Sequence, residues 1–191
     1  MSQNFLFKSS FHARLIEIDQ ELANACMEKG CSYCGGKLHQ ADYPRSPMGM
    51  PHAFRDYYNQ RMSFCCTDCR KRTTPPSVRF FGRRWYPAPI FIFISMMTSG
   101  ITKRRLALIK KHFGLVVRES TWRRWRKWWR DEFVVTKFWQ QTKGKVPPSD
   151  GITQGAFPRV IFNFYRGKTY EKMLLFLRLL SPLTINIFHV I

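Results

Sequence analysis

Cys31-Ser-Tyr-Cys34 and Cys66-Thr-Asp-Cys69 are two matched C-x2-C pairs with 31 residues between them. Thiolates at that spacing do metal chemistry: each tight turn offers two sulfurs, and two turns complete the closed tetrahedral shell that structural zinc prefers. Gly35 and Gly36 follow the first pair, where the chain must fold back under the metal, and Arg70-Lys71-Arg72 follows the second. Four cysteines that are merely buried or disulfide-bonded fit less well, because nothing marks the chain as secreted. Two of the six cysteines are then left over. Cys65 offers a C-x3-C alternative to Cys66, yet neighbouring strand residues point to opposite faces, so only one of them faces the metal. Cys66 keeps the two turns alike, and Cys26 and Cys65 are expected to be small apolar core residues. The expected cofactor is one structural Zn2+ on Cys31, Cys34, Cys66 and Cys69.

The second chemical signal is charge. The 191 residues carry a formal net charge of +20, and it is unevenly placed. Residues 1–60 hold six Lys/Arg against six Asp/Glu, residues 61–130 hold eighteen against two, and residues 131–191 hold eight against four. A solubility excess would be spread along the chain. A block beside a metal module instead predicts a polyphosphate partner, whose condensed counterions are released on binding.

These groups need elements to hold them. Residues 10–29, with Leu15, Ile18, Leu22 and Ala25 at three- and four-residue steps, predict an amphipathic helix that Gly30 ends. Residues 31–86 are expected to form a small α+β zinc ribbon. Its centre is a turn-rich insertion with Pro44, Pro47, Gly49 and Pro51, and residues 60–65 are the strand entering the second cysteine turn. The loop of Arg70, Lys71 and Arg72 continues into Thr73-Thr74-Pro75-Pro76-Ser77, a stiff phosphate-holding segment, and residues 78–81 predict another strand. Arg83 and Arg84 are further candidate phosphate contacts.

Residues 87–142 predict an all-α module and make the chain mainly helical overall. Pro87 and Pro89 start a helix through residues 90–97 that Gly100 ends, and Thr102 caps a second with Leu106, Ile109 and Phe113 on one side, ended by Gly114. Ser120 or Thr121 then opens a third. In it Trp122, Trp125, Trp129 and Phe133 recur at helical steps and face the core, which turns Arg123, Arg124, Arg126, Lys127 and Arg130 outward. Trp128 falls off that face, and either stacks on a base or packs on a neighbour. In a helix-turn-helix unit the second helix enters the major groove, so Arg118, Arg123 and Arg124 are the base-reading candidates, with Lys127 and Arg130 on the backbone. Residues 143–191 read as a linker with a leucine-rich helix at 169–180 stopped by Ser181-Pro182, a core or homodimer surface, and residues 184–191 give no clear signal.

The run from Phe64 to Thr73, followed by a strand, a helix and a helix-turn-helix ending in Thr-Trp-Arg-Arg-Trp, resembles the N-terminal DNA-binding part of insertion-sequence transposases. It is similar in order to the separate zinc-ribbon protein that minimal insertion sequences encode. The resemblance covers residues 31–130. It implies ribbon ligands at Cys31, Cys34, Cys66 and Cys69 and a recognition helix near residues 121–130. The turn between Gly114 and Thr121 is about two residues longer than the family's, and the insertion between the cysteine pairs is also long.

Catalysis is not expected. Metal-dependent strand transfer needs carboxylates gathered at strand ends, and Asp131, Glu132, Asp150 and Glu171 have no strand pattern around them. A tyrosine nucleophile at Tyr57 or Tyr58 has no histidine pair to support it. No residue stretch has the build of a signal peptide or a membrane span, so the expected place is the reducing cytoplasm, on the nucleoid. The expectation is a sequence-specific, zinc-stabilised double-stranded DNA-binding factor of a mobile element, accessory or regulatory in transposition. Its alternatives are the DNA-binding subunit of a transposase or recombinase whose catalytic part lies on another chain, and an RNA- or single-strand-binding module.

Overall fold

The apolar stripe of the first helix decides where the metal module meets the rest of the chain. Helix α1, Ser9–Lys29, buries Phe11, Leu15 and Ile18 in the large core and carries Ala23 and Cys26 into a second, smaller cluster with Cys31, Leu38, Phe64 and Cys66. Ala25, expected on this face, is exposed, because a 3.6-residue step from Leu22 reaches Cys26 instead. The computed structural model describes residues 4–47, 49–81, 86–96, 102–114, 116–146 and 157–186. Arg83, Arg84 and Gly100 lie outside them. The described residues are mainly helical with three small antiparallel sheets.

The strands are β1 (Leu38–Gln40), β2 (Tyr43–Pro44), β3 (Gln60–Arg61), β4 (Phe64–Cys66), β5 (Arg72–Thr73), β6 (Phe80–Phe81) and β7 (Tyr86–Pro87). One sheet has the order β1-β4-β5, with Leu38 opposite Cys66 and Cys65 opposite Arg72. The expected single strand over 60–65 is two: β3 pairs with β2, and β4 joins the cysteine sheet. The break falls beside Ser63, whose N–H donates to Asp42 Oδ1 at 3.0 Å and whose hydroxyl donates to the Ala41 carbonyl at 3.1 Å.

The helical part follows a β6–β7 hairpin. Helix α2 (Ala88–Ser95) is buried along its whole length. Helix α3 (Lys103–Phe113) is capped by the Thr102 side chain and closed by Gly114 at φ 63°, as the Thr102 and Gly114 signals predict. Helix α4 (Glu119–Lys127) runs into a π turn, Trp128–Glu132. Helices α5 (Lys137–Thr142), α6 (Phe157–Phe164), α7 (Thr169–Leu180) and α8 (Leu183–Asn186) complete the chain. Helix α7 matches its expected bounds and buries Met173, Phe176, Leu177 and Leu180 in the same core as the tryptophans. Helices α6 and α8 lie in stretches read as linker and as signal-free.

A polar network lies inside this core. Asp19, an acidic residue of the amphipathic helix α1, is fully buried and accepts from the Ser77 hydroxyl at 2.6 Å, the Val78 N–H at 2.6 Å and Arg79 Nε at 2.7 Å. Arg79 also donates to the Tyr57 carbonyl, and Ser77 N–H donates to Thr184 Oγ1. Arg61 is buried as well and donates to the Pro75 carbonyl at 2.6 Å; burial pulls its pKa down and the Asp19 charge pushes it up. Tyr58, weighed above as a nucleophile, is wholly buried with its hydroxyl 2.9 Å from His12 Nδ1, and burial pushes its pKa up.

His12 Nε2 is 2.9 Å from the Leu6 carbonyl, and burial lowers the imidazole pKa from 6.5, which the Leu6 contact only partly offsets. The unfolded chain therefore takes up a proton more readily than the folded one as pH falls. Stability from this group is complete above 6.5 and is lost as pH drops through that value toward the lower folded one. Unfolding free energies from urea titrations between pH 7.5 and 5 are expected to fall more steeply for the native chain than for His12→Gln, by up to about 1.4 kcal/mol per pH unit; parallel profiles would contradict this.

Candidate metal centre and nucleic-acid interface

Each cysteine turn is built by the same backbone device. In the first, Cys31 N–H donates to the Gly36 carbonyl at 2.9 Å and Gly35 N–H to the Cys31 carbonyl at 2.8 Å. In the second, Cys66 N–H donates to the Lys71 carbonyl at 3.0 Å, the counterpart of the Cys31 bond. The residue after each second cysteine must enter the left-handed region, Gly35 at φ 75° and Arg70 at φ 59°. A side chain in that region costs about 1 kcal/mol, so Arg70 sits there against its local preference. The Thr67 N–H and hydroxyl both donate to the Lys37 carbonyl, at 3.0 and 2.8 Å, which fastens one turn to the other. Gly36 permits the approach: a Cβ there would stand 2.1 Å from Asp68 Oδ2 and 3.1 Å from Cys66 Sγ.

The result is a thiol cluster. The sulfurs of Cys31, Cys34, Cys66 and Cys69 lie within 4.8 Å of one another, with Cys31 and Cys69 at 3.6 Å and Cys34 and Cys66 at 3.5 Å. All six cysteines are free thiols, and these separations are far beyond a disulfide bond of about 2.05 Å. A metal–sulfur distance of about 2.3 Å places tetrahedral sulfurs about 3.8 Å apart, so the four donors fit a metal shell. Their electrostatics ask for a cation. The Tyr33 N–H aimed at Cys31 lowers that thiol to about 6. At Cys34 the Gly36 N–H favours the thiolate, but the Cys66 and Cys69 sulfurs and burial outweigh it and push the thiol up to about 12. Cys65 is outside the shell. Its sulfur is half-buried, 3.5 Å from the Arg70 carbonyl, and so is not a core group as expected. Cys26 packs under the cluster.

The expected basic residues divide by what they already touch. Arg72 Nη1 donates to the Ala41 carbonyl and to Ser63 Oγ, both at 2.6 Å, so it braces the sheet. Lys71 Nζ lies 4.4 Å from the ring centre of Tyr33, an exposed aromatic that sequence reading passed over because the two are 38 positions apart. Arg70 is exposed.

Helix α4 starts earlier than Ser120. Its N-cap is Arg118, which makes no side-chain cap bond, and Glu119 is the first helical residue. Trp122 and Trp125 are buried, with Trp125 edge-on to Phe91 at 4.8 Å and to Tyr86 at 5.1 Å. Trp128 is buried at 2% exposure, edge-on to Phe81 and to Trp129. The wider i→i+5 winding turns two consecutive indoles somewhat closer to one side than a 3.6-residue helix would. The opposite face stays in solvent. Arg118, Arg124 and Lys127 are exposed and carry no ion pair among the described residues. Arg123 is 72% exposed and holds Glu119 at 2.7 Å; Arg130 holds Asp131 at 2.6 and 3.1 Å. Arg126 folds back, its guanidinium 4.8 Å from the Trp122 ring centre. Lys103, Arg104, Lys110 and Lys111 of α3 are exposed too. They were not singled out from sequence, although they belong to the same charge block.

Comparison with protein families, curated proteins and solved structures finds no match to this chain.

Proposed function

We propose that the chain is a zinc-stabilised, sequence-specific double-stranded DNA-binding protein, serving a mobile element as a non-catalytic accessory or regulatory factor. The observation that carries the reading is the basic face of α4, backed on its other side by a cage of buried tryptophans. A rigid helix offering arginines to solvent is what groove reading requires. That α3 and α4 are consecutive helices with few residues between them supports a helix-turn-helix reading. Arg118 and Arg123 at the start of α4 are placed to reach base edges, and Arg124, Lys127 and the cations of α3 to reach phosphates. Burial of Trp122, Trp125, Trp128 and Trp129 removes those rings from stacking on unpaired bases, which favours duplex over single strand.

The four thiolates would hold the zinc ion. It supplies charge neutralisation and a crosslink between two turns of chain, with no open position for chemistry. The assignment to a mobile element rests on the order of the Cys66–Arg72 segment and the helical module, together with the resemblance that order carries.

Replacing Arg124 and Lys127 with alanine is expected to lower the slope of log K against log salt by about 2, since each lost phosphate contact removes about 0.9. Binding titrations on a duplex from 50 to 200 mM salt measure it. An unchanged slope would move the interface off α4.

A further inference from the structure

Away from the cysteines and α4, a cavity of about 680 Å3 opens between the start of α1 and the start of α7, a size typical of small-molecule sites. Phe5, Phe11 and Tyr170 give it apolar walls, with Phe5 edge-on to Phe11 at 4.9 Å. Lys8, Arg14 and Lys168 stand around it with a single carboxylate, Glu17, so the lining carries a charge of +2. That carboxylate belongs to Arg14, which holds it at 2.6 Å and reaches Glu21 at 3.7 Å. Lys8 and Lys168 have no ion pair among the described residues. Folding thus brings two ammonium groups, 160 positions apart in sequence, to one aromatic concavity, with the Glu171 carboxylate near Lys168 engaged by that residue's backbone N–H at 2.8 Å. Ser10 and Thr169 add hydroxyl groups beside them.

We infer that this cavity binds a nucleoside phosphate, with the base on the aromatic wall and the phosphate between Lys8 and Lys168. A phosphomonoester carries a charge of about −1.5 to −2 at neutral pH, the complement of the lining. The ligand is either a free nucleotide or the 5′-phosphorylated end of a strand. The inference shares no residue with the DNA interface proposed on α4 and stands or falls apart from it.

Calorimetric titration of the full, metal-loaded chain with adenosine 5′-monophosphate tests it. Saturable binding is expected, with adenosine and inorganic phosphate each at least about tenfold weaker. The double variant K8M/K168M keeps the apolar stems and is expected to weaken the nucleotide about 100-fold, one factor of ten per charge-assisted bond, with metal content and unfolding midpoint unchanged. Tyr170→Ala is expected to weaken the nucleotide and leave inorganic phosphate as it was. A 5′-phosphorylated trinucleotide that binds as well as the mononucleotide identifies the strand end as ligand, and one that binds worse identifies the free nucleotide. Absence of binding at millimolar nucleotide, equal affinity in K8M/K168M, or adenosine or phosphate as tight as the nucleotide would each overturn the inference.

Discussion

Cys66→Ala is expected to abolish metal binding and unfold the cysteine sheet, the largest effect of any single substitution in this chain. The strands it would have to leave standing are two or three residues long, and the cluster beneath them has only five fully buried residues. Sheets that short have no independent stability. Structural zinc contributes on the order of 10–16 kcal/mol in small domains, so a zinc ion held by these thiolates would outweigh the packing of this sheet. Elemental analysis is expected to find about one zinc per native chain and almost none in the variant, with amide protection lost over residues 31–73. Cys65→Ala is the control and keeps its metal, because its sulfur points toward the Arg70 carbonyl and away from the other four. Loss of metal in Cys65→Ala, or a native chain without any, would remove the ribbon. Binding must displace protons from thiols such as Cys34, held up to about 12, so metal affinity falls as pH falls.

Asp19→Ala comes next, with an expected cost of about 3–5 kcal/mol, the range for breaking a buried ion pair by deleting one partner. A domain has only about 5–15 kcal/mol to lose. The reason is arithmetic of charge inside the core: Arg79, 4% exposed, and Arg61, 2% exposed, share this one carboxylate as their buried counter-charge. Deleting it strands two cations and leaves the Ser77 hydroxyl and Val78 N–H without their acceptor. Denaturant titration followed by tryptophan fluorescence reads the change in the large core directly. Asp19→Leu combined with Arg79→Leu is expected to recover part of the loss. A midpoint in Asp19→Ala equal to that of the native chain would show that water reaches the arginines.

Features written in short stretches of sequence were legible. Two C-x2-C pairs identify the thiol cluster because the ligand turn is local, and α3 and α7 were readable from Thr102, Gly114 and the leucine spacing for the same reason. What failed depends on distant or compensating contacts. The start of α4 was misplaced because Arg118 caps it with no side-chain bond, so the usual Ser or Thr signal pointed inward of the true end. For Trp128 the sequence left stacking on a base and packing on a neighbour both open, and the structure gives the packing, against Phe81 and Trp129 at the start of a π turn. Asp19 and Arg79 each look like surface residues, and nothing within ten positions shows that they meet across 60. Arg72 was counted as a free cation because its acceptor, the Ala41 carbonyl, is 31 positions away.

The tie between Ser77 and Thr184, 107 positions apart, and the ion pair between Glu21 and Arg178, 157 apart, have a consequence for synthesis. The segment around Ser77 is fastened to α1 on one side and to the end of the chain on the other. As the polypeptide leaves the ribosome, the cysteine turns, 32 to 38 positions apart, can close and load metal early. The tryptophan core cannot finish until residues 169–184 have emerged, so its indoles stand open from the time residues 122–139 are made until then. A metal held there would anchor α1, through Ala23 and Cys26, while the remaining helices are still being made.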